Sequence, residues 1–169
     1  MKIGLIGCGR MGAAMAARLE ETGAPPLCWD ADAGARERMA ATGAPVATSP
    51  RALAAEIELL ILSLPNAAAV RDAMAEVAPA LPRGAVVVDA TTSEPGVSRE
   101  MAETGQGAGW TFLDAPVSGG PTGARGGTMT MLIGGEAEAL ARARPDLERL
   151  AAKIVHVGGP GAGHAAKIA

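Results

Sequence analysis

The chain has 169 residues and a formal net charge of −3. This length suffices for one domain of ordinary size and is too short for two typical ones. The charge supplies no positive field of the kind that binds phosphate backbones or anionic lipids, so nucleic acid and membranes are not expected partners.

The amino-acid composition indicates what the hydrophobic core is made of and in which compartment the protein is expected. Aromatic residues make up 2% of the chain, so the predicted core is aliphatic. Cys8 and Cys28 lack metal-ligand spacing and fall in or beside predicted buried strands, where a free thiol packs as a small hydrophobe. No metal site is predicted. Without a signal-peptide pattern or an apolar run of membrane-spanning length, we expect a soluble, cytoplasmic protein.

Short apolar and β-branched runs alternate with longer Ala-rich or amphipathic runs, a pattern typical of βαβ units. The predicted strands are 2–6, 27–30, a weak one near Val46, 57–63, 85–89, 111–114, 130–133 and 154–157, with helices between them. The strand sequences LLILS, AVVVD and MLI are apolar at successive positions, as in strands covered on both faces. We therefore predict a Rossmann-type α/β fold, a doubly wound and mainly parallel sheet with helices on both faces.

The segment after the first predicted strand carries a GxGxxG motif, made by Gly7, Gly9 and Gly12 around Arg10 and Met11. In a dinucleotide-binding turn the first glycine permits the tight turn, the second admits the pyrophosphate and the third lets the helix pack on the strand. We expect the amides of residues 7–12 to open toward a diphosphate at the positive end of the following helix. The alternative is a glycine turn that only links strand to helix.

Asp30 closes the second predicted strand, 23 positions after Gly7. A carboxylate here accepts hydrogen bonds from the adenosine ribose hydroxyls and repels a 2′-phosphate. The first cationic residue after Asp30 is Arg36, so NAD is the predicted cofactor and NADP the weaker alternative. A helix N-cap or turn role for Asp30 is compatible with the same position.

The glycine turn reads GLIGCGRMG, and four more segments follow it: LSLP at 62–65, DATTSEP at 89–95, DAPVSGGPTGARGGTMTMLIGG at 114–135 and GGPGAGHAAK at 158–167. In this order they resemble the β-hydroxyacid dehydrogenases of the 6-phosphogluconate dehydrogenase superfamily, the group that contains 3-hydroxyisobutyrate dehydrogenase and tartronate semialdehyde reductase. The resemblance implies hydride transfer between a 3-hydroxyacid, a small carboxylate substrate, and NAD. It leaves open which acid is used.

The resemblance also implies residue roles. Lys167 matches the lysine that acts as acid or base, and a partly buried lysine with a lowered pKa can accept the proton of the substrate hydroxyl. The residues expected to hold the substrate carboxylate are Ser118, Gly119 and Gly120. Those expected to line the cofactor are Leu64, Pro65, Thr91 and Thr92. The alternatives are a β-turn with a serine cap and a solvent-facing lysine.

The resemblance divides the chain into an NAD(P)-binding Rossmann domain over 1–160 and the start of a helix over 161–169. The all-helical C-terminal domain of such enzymes is absent, and with it an Asn expected four residues after Lys167. It implies a homo-oligomer at full length. Two alternatives stay open: an NAD-binding module without turnover, and an imine reductase-like protein, although imine reductases generally lack a lysine at the position of Lys167.

Overall fold

A computed structural model describes all 169 residues. The strands are β1 Ile3–Ile6, β2 Leu27–Trp29, β3 Leu59–Leu62, β4 Val86–Asp89, β5 Thr111–Asp114, β6 Val117–Ser118, β7 Met129–Gly134 and β8 Ala151–Gly158. The helices are α1 Arg10–Glu21, α2 Ala33–Ala41, α3 Pro50–Glu56, α4 Ala67–Val77, α5 Pro95–Ala108, α6 Gly120–Gly126, α7 Ala137–Leu147 and α8 Ala162–Ile168, with a 3-10 turn at Ala78–Ala80. None of these helices combines the length and apolar character needed to cross a membrane.

The strands form one mixed sheet. Strands β2, β1, β3, β4 and β5 lie side by side in this order, and every pair among them is parallel. Strand β7 then runs antiparallel to β5 and β6 and parallel to β8. The carboxyl ends of the five parallel strands therefore meet at one edge, where ligands bind in open α/β sheets. The predicted Rossmann-type fold is confirmed.

Alternate residues of the central strands pack in two separate hydrophobic cores. Leu59 and Ile61 of β3 pack in a core with α1, α2 and α7, whereas Leu60 and Leu62 pack in a second core with α3, α4 and α5. Strands β3 and β4 are buried at every position, because helices cover both faces of the sheet. Doubly wound packing explains their unbroken apolar sequences.

Local capping explains where several helices start. The side chains of Asp32, Ser49 and Asn66 each accept a hydrogen bond from an N–H in the first turn of α2, α3 and α4, respectively. Helix α1 differs, because its N-cap is Gly9, which has no side chain to satisfy the first amides. The start of α1 is thus left available to an external anion.

Three expectations about strands need correction. Within MLI, Leu132 is only partly buried, because the short helix α8 packs on this part of β7 in place of a longer helix. Strand β8 begins at Ala151 instead of 154, since the β7 ladder extends over two alanines with weak strand propensity. The weak strand near Val46 is a single bridge to Cys28.

Strand β6 was not predicted. Its two residues follow Pro116, and two residues are too few to give a strand signal. Asp114, Val117 and Ser118 nevertheless pair with β7 in one continuous antiparallel register, and Leu132 N donates to Pro116 O at 3.1 Å. Residues 114–118 thus form one continuous segment along β7 that carries both Asp114 and Ser118.

Candidate functional site

The three motif glycines have different physical reasons to be glycine. Gly7 has φ +104°, and a Cβ there would lie 1.9 Å from Ser63 O. A Cβ on Gly12 would lie 1.7 Å from Gly7 O, so no side chain fits between α1 and the turn. A Cβ on Gly9 would meet nothing within 4 Å. Two glycines therefore close the turn, and the third leaves open space above it.

The amides of the turn are only partly open, contrary to the expectation for residues 7–12. Gly7 N donates to Trp29 O at 2.9 Å, and Cys8 N donates to Asp30 Oδ2 at 2.7 Å. Strand pairing and the nearby carboxylate occupy these two groups. Hydrogen bonding in α1 begins with Ala13 N, which donates to Gly9 O, so the amides of residues 9–12 have no protein acceptor. These four remain to bind an anion.

A groove of about 920 Å³ opens above the turn. Its walls include all three motif glycines and five further residues predicted as cofactor contacts, namely Arg10, Met11, Asp30, Leu64 and Pro65. The opposite wall, which no sequence motif indicated, is formed by Pro50, Ala69, Asp72, Ala73 and Glu76. Most of that wall is α4, whose N-cap follows the LSLP segment directly, and this adjacency was the available signal.

Asp30 is tied into the turn through both carboxylate oxygens. Oδ2 accepts from Cys8 N, and Oδ1 accepts from Asp32 N at 2.8 Å. Asp30 therefore also has the turn role considered as an alternative, while still lining the groove. Arg36 stacks 4.4 Å from the centre of the Trp29 ring and donates to Asp30 O at 2.8 Å. Arg36, the first cationic residue after Asp30 in the sequence, is thus engaged with backbone carbonyls and an aromatic face.

Thr91 and Thr92 are not among the residues that line the groove. Thr91 is 2% exposed, and its Oγ1 accepts a hydrogen bond from Leu64 N at 3.0 Å. Its contribution is therefore to support a lining residue from below. Thr92 is exposed on the following turn.

The structure brings the predicted lysine and serine together. Lys167 Nζ donates to Ser118 Oγ at 3.0 Å and to Val117 O at 2.8 Å. Gly119 and Gly120 follow at the start of α6 with φ values of +125° and +63°, which a larger residue adopts only with strain. A hydroxyl, an ammonium group and a glycine turn therefore meet at one point. Such a set can bind a small carboxylate and hold a proton beside it.

Buried polar groups lie next to this point, and sequence reasoning did not assign them to the site. Asp114 and His164 are both at most 1% exposed, and His164 N donates to Asp114 Oδ2 at 2.9 Å. Asp89, the β4 partner of Asp114, is also buried, and its Oδ2 has no hydrogen-bond partner. Burial raises the pKa of Asp89 to about 6. No cluster of three or more metal-ligating side chains is present.

The chain is similar to known proteins over nearly its whole length. The sequence profile described as the NAD binding domain of 6-phosphogluconate dehydrogenase matches residues 2–158. Mitochondrial 3-hydroxyisobutyrate dehydrogenase of Mus musculus is 34% identical over 169 residues, which cover 98% of this chain and 50% of the mouse protein. The chain thus spans about half the length of the curated relatives that it matches.

Two solved structures are similar over nearly the whole chain. Mycobacterium tuberculosis 3-hydroxyisobutyrate dehydrogenase with L-serine superposes with a TM-score of 0.93 at 38% identity, covering 99% of this chain and 57% of that one. Streptomyces aurantiacus imine reductase superposes with a TM-score of 0.89 at 28% identity, covering 99% and 59%, respectively. The chain therefore belongs to the family of the NAD-binding domain of 6-phosphogluconate dehydrogenase, and its relatives include 3-hydroxyisobutyrate dehydrogenases, as its motifs predicted.

Proposed function

We propose that the chain is the cofactor-binding part of an NAD-dependent β-hydroxyacid dehydrogenase, which transfers hydride between a 3-hydroxyacid and NAD. One observation carries the proposal: Lys167 contacts Ser118 at the same edge of the sheet as the open glycine turn. The turn alone would support binding of any dinucleotide. The lysine and serine add a site for a hydroxyacid beside it.

The residues along the groove would hold an extended dinucleotide. The four open amides of residues 9–12 would receive the pyrophosphate, and Asp30 would accept hydrogen bonds from the adenosine ribose. NAD, when bound, supplies the hydride acceptor. We propose NAD over NADP because the Asp30 carboxylate would repel a 2′-phosphate, while Arg36 is engaged with Asp30 O and the Trp29 ring.

The residues proposed to contact the substrate have two roles, carboxylate binding and proton transfer. Ser118 Oγ and the turn at Gly119 and Gly120 would hold the substrate carboxylate. Lys167 would accept the proton that leaves the substrate hydroxyl during oxidation and return it during reduction. Selection among hydroxyacids would also involve the part of the relatives' length that this chain does not span.

A second candidate is favoured by the same coverage. As an isolated chain of 169 residues, the protein would bind NAD without turnover, because its relatives are about twice as long. An imine reductase-like activity is less well supported. The fold is shared, but a lysine placed on Ser118 suits a hydroxyl proton and a carboxylate.

The cofactor proposal is tested by calorimetric titration of the chain with NAD and with NADP. We expect NAD to bind more tightly, and Asp30→Asn to weaken NAD binding about tenfold, or about 1.4 kcal/mol, while narrowing the difference between the cofactors. Asp72→Asn is the matched control, because this carboxylate lines the opposite wall of the same groove. Absence of NAD binding would reject the proposal, and an unchanged NAD preference in Asp30→Asn would reject the ribose role.

The chemical step is tested in the natural full-length protein by following NAD reduction with 3-hydroxyisobutyrate and L-serine. Lys167→Met should abolish turnover and leave the affinity for NAD within about twofold, because the lysine does not line the groove. Turnover retained in Lys167→Met would remove its acid-base role.

A further inference from the structure

His164 joins three parts of the molecule in a buried position. Its side chain is 1% exposed and lies in the first turn of α8. One ring nitrogen, Nε2, lies 2.7 Å from Thr91 O, and the other, Nδ1, lies 2.7 Å from Ser98 Oγ. The histidine therefore connects α8 to the loop after β4 and to α5.

The hydrogen-bond partners of the His164 ring determine which ring nitrogen donates and which accepts. Thr91 O can only accept, so Nε2 carries a proton and donates to it. In the neutral ring Nδ1 then accepts from the Ser98 hydroxyl. A neutral side chain that places one donor and one acceptor near these two positions can hydrogen-bond to both partners.

Asp114 holds the beginning of the same helix. Its Oδ1 accepts from Gly161 N and its Oδ2 from His164 N, both at 2.9 Å. A Cβ on Gly163 would lie 2.8 Å from Asp114 Oδ2, so glycine permits this close approach. The start of α8 is thereby fixed on β5.

Helix α8 depends on such anchors. It has seven residues, and an isolated helix of this length is not stable in water. Lys167 lies in its last turn and is itself exposed, with contacts to Val117 O and Ser118 Oγ alone among hydrogen-bond acceptors. The position of the ammonium group therefore depends on how firmly the buried first turn is held.

We propose that His164 is a positioning residue, which fixes α8 against Thr91 and Ser98 so that Lys167 stays on Ser118. Because Thr91 Oγ1 also holds Leu64 N, the same histidine sets the lysine helix relative to a wall of the cofactor groove. The importance of this placement rests on the function proposed for Lys167, whereas the placement itself can be measured without cofactor or substrate.

Nuclear magnetic resonance relaxation of 13C-labelled lysine can report this placement directly. The chain contains three lysines, Lys2, Lys153 and Lys167, so their Cε signals can be assigned by single substitutions. In the wild type we expect the Cε of Lys167 to be more ordered than that of Lys153, which makes no hydrogen bond or ion pair through its side chain. His164→Leu should lower the Lys167 order parameter roughly twofold, and His164→Gln should retain it.

The controls separate positioning from general stability. Lys2 and Lys153 should keep their wild-type signals in every folded variant. An unchanged Lys167 in His164→Leu, or a glutamine variant as mobile as the leucine variant, would overturn the proposal. If His164→Leu does not fold, Ser98→Ala decides, since it removes one ring contact: intermediate mobility of Lys167 supports the proposal, and wild-type order contradicts it. The NAD titration above fails or succeeds independently of these signals.

Discussion

The open amides of the glycine turn lie within one short motif, residues 7–12, whereas the lysine–serine pair joins residues 49 positions apart. In the turn, Gly12 packs on Gly7, and the open amides belong to residues 9–12. At the lysine end, the placement of α8 depends on Asp114, Ser98 and Thr91, which come from three other segments. Local motifs can thus specify backbone shape, while side-chain placement at the second region requires the assembled sheet.

The largest effect is expected from the turn. Gly12→Ala places a Cβ 1.7 Å from Gly7 O, so backbone must move, at a cost of roughly 3 kcal/mol or more. Chemical denaturation measures the loss. Gly107→Ala is the matched control, because a Cβ at this α5 position meets nothing within 4 Å and alanine favours helix. Equal stability of the two variants would contradict the close packing of the turn.

The second largest effect is expected on the stability of the fold at neutral pH, through the buried carboxyl group of Asp89. Asp89 has its pKa raised by burial from 3.8 to about 6, so the folded state binds its proton more tightly than the unfolded state. Its contribution to stability is therefore greatest below pH 4 and is lost as the pH rises from about 4 to about 6. Asp89→Asn cannot ionise, and at pH 7 it should be more stable than wild type by up to roughly 3 kcal/mol.

Denaturation of both proteins between pH 4 and pH 7 measures this difference. The advantage of Asp89→Asn should grow from about pH 4 to about pH 6 and stay level above pH 6. A stability difference independent of pH would show that the carboxyl ionises in the folded state as readily as in the unfolded state.

A smaller effect is expected on the affinity for NAD, at Gly9, where the glycine turn faces the groove. Gly9→Ala meets no protein atom, so the free energy of unfolding should change little, but the added methyl occupies space above the open amides. We expect the affinity for NAD to fall about tenfold, measured by calorimetry with Gly107→Ala as reference. Unchanged affinity would mean that the pyrophosphate does not approach residue 9.

The smallest effect is expected at the exposed contact of the lysine. Ser118→Ala removes one hydrogen bond between two exposed side chains, so the free energy of unfolding should fall by less than about 0.5 kcal/mol. Thermal denaturation provides the measurement. A much larger loss would show that the serine, and not the buried contacts of His164, holds α8 in place.

The sequence was sufficient for those parts of the fold and site that depend on short-range rules. The buried strands LLIL and VVVD, the glycine turn and Asp30 follow from periodicity and motif spacing. The pairing of Cys8 N with Asp30 could not be predicted, because it depends on a side-chain rotamer across two strands. The roles of Asp114 and His164 were equally hidden, since each bonds to residues distant in sequence.

Both ends of α8 contact the segment of residues 114–118, the first turn through buried hydrogen bonds to Asp114 and Lys167 through an exposed one to Ser118. Separating the first turn of α8 from β5 would require breaking buried hydrogen bonds, whereas the contact of Lys167 with Ser118 can break without disturbing them. An entering carboxylate can therefore come between the ammonium group and the serine hydroxyl while the start of the helix stays on β5.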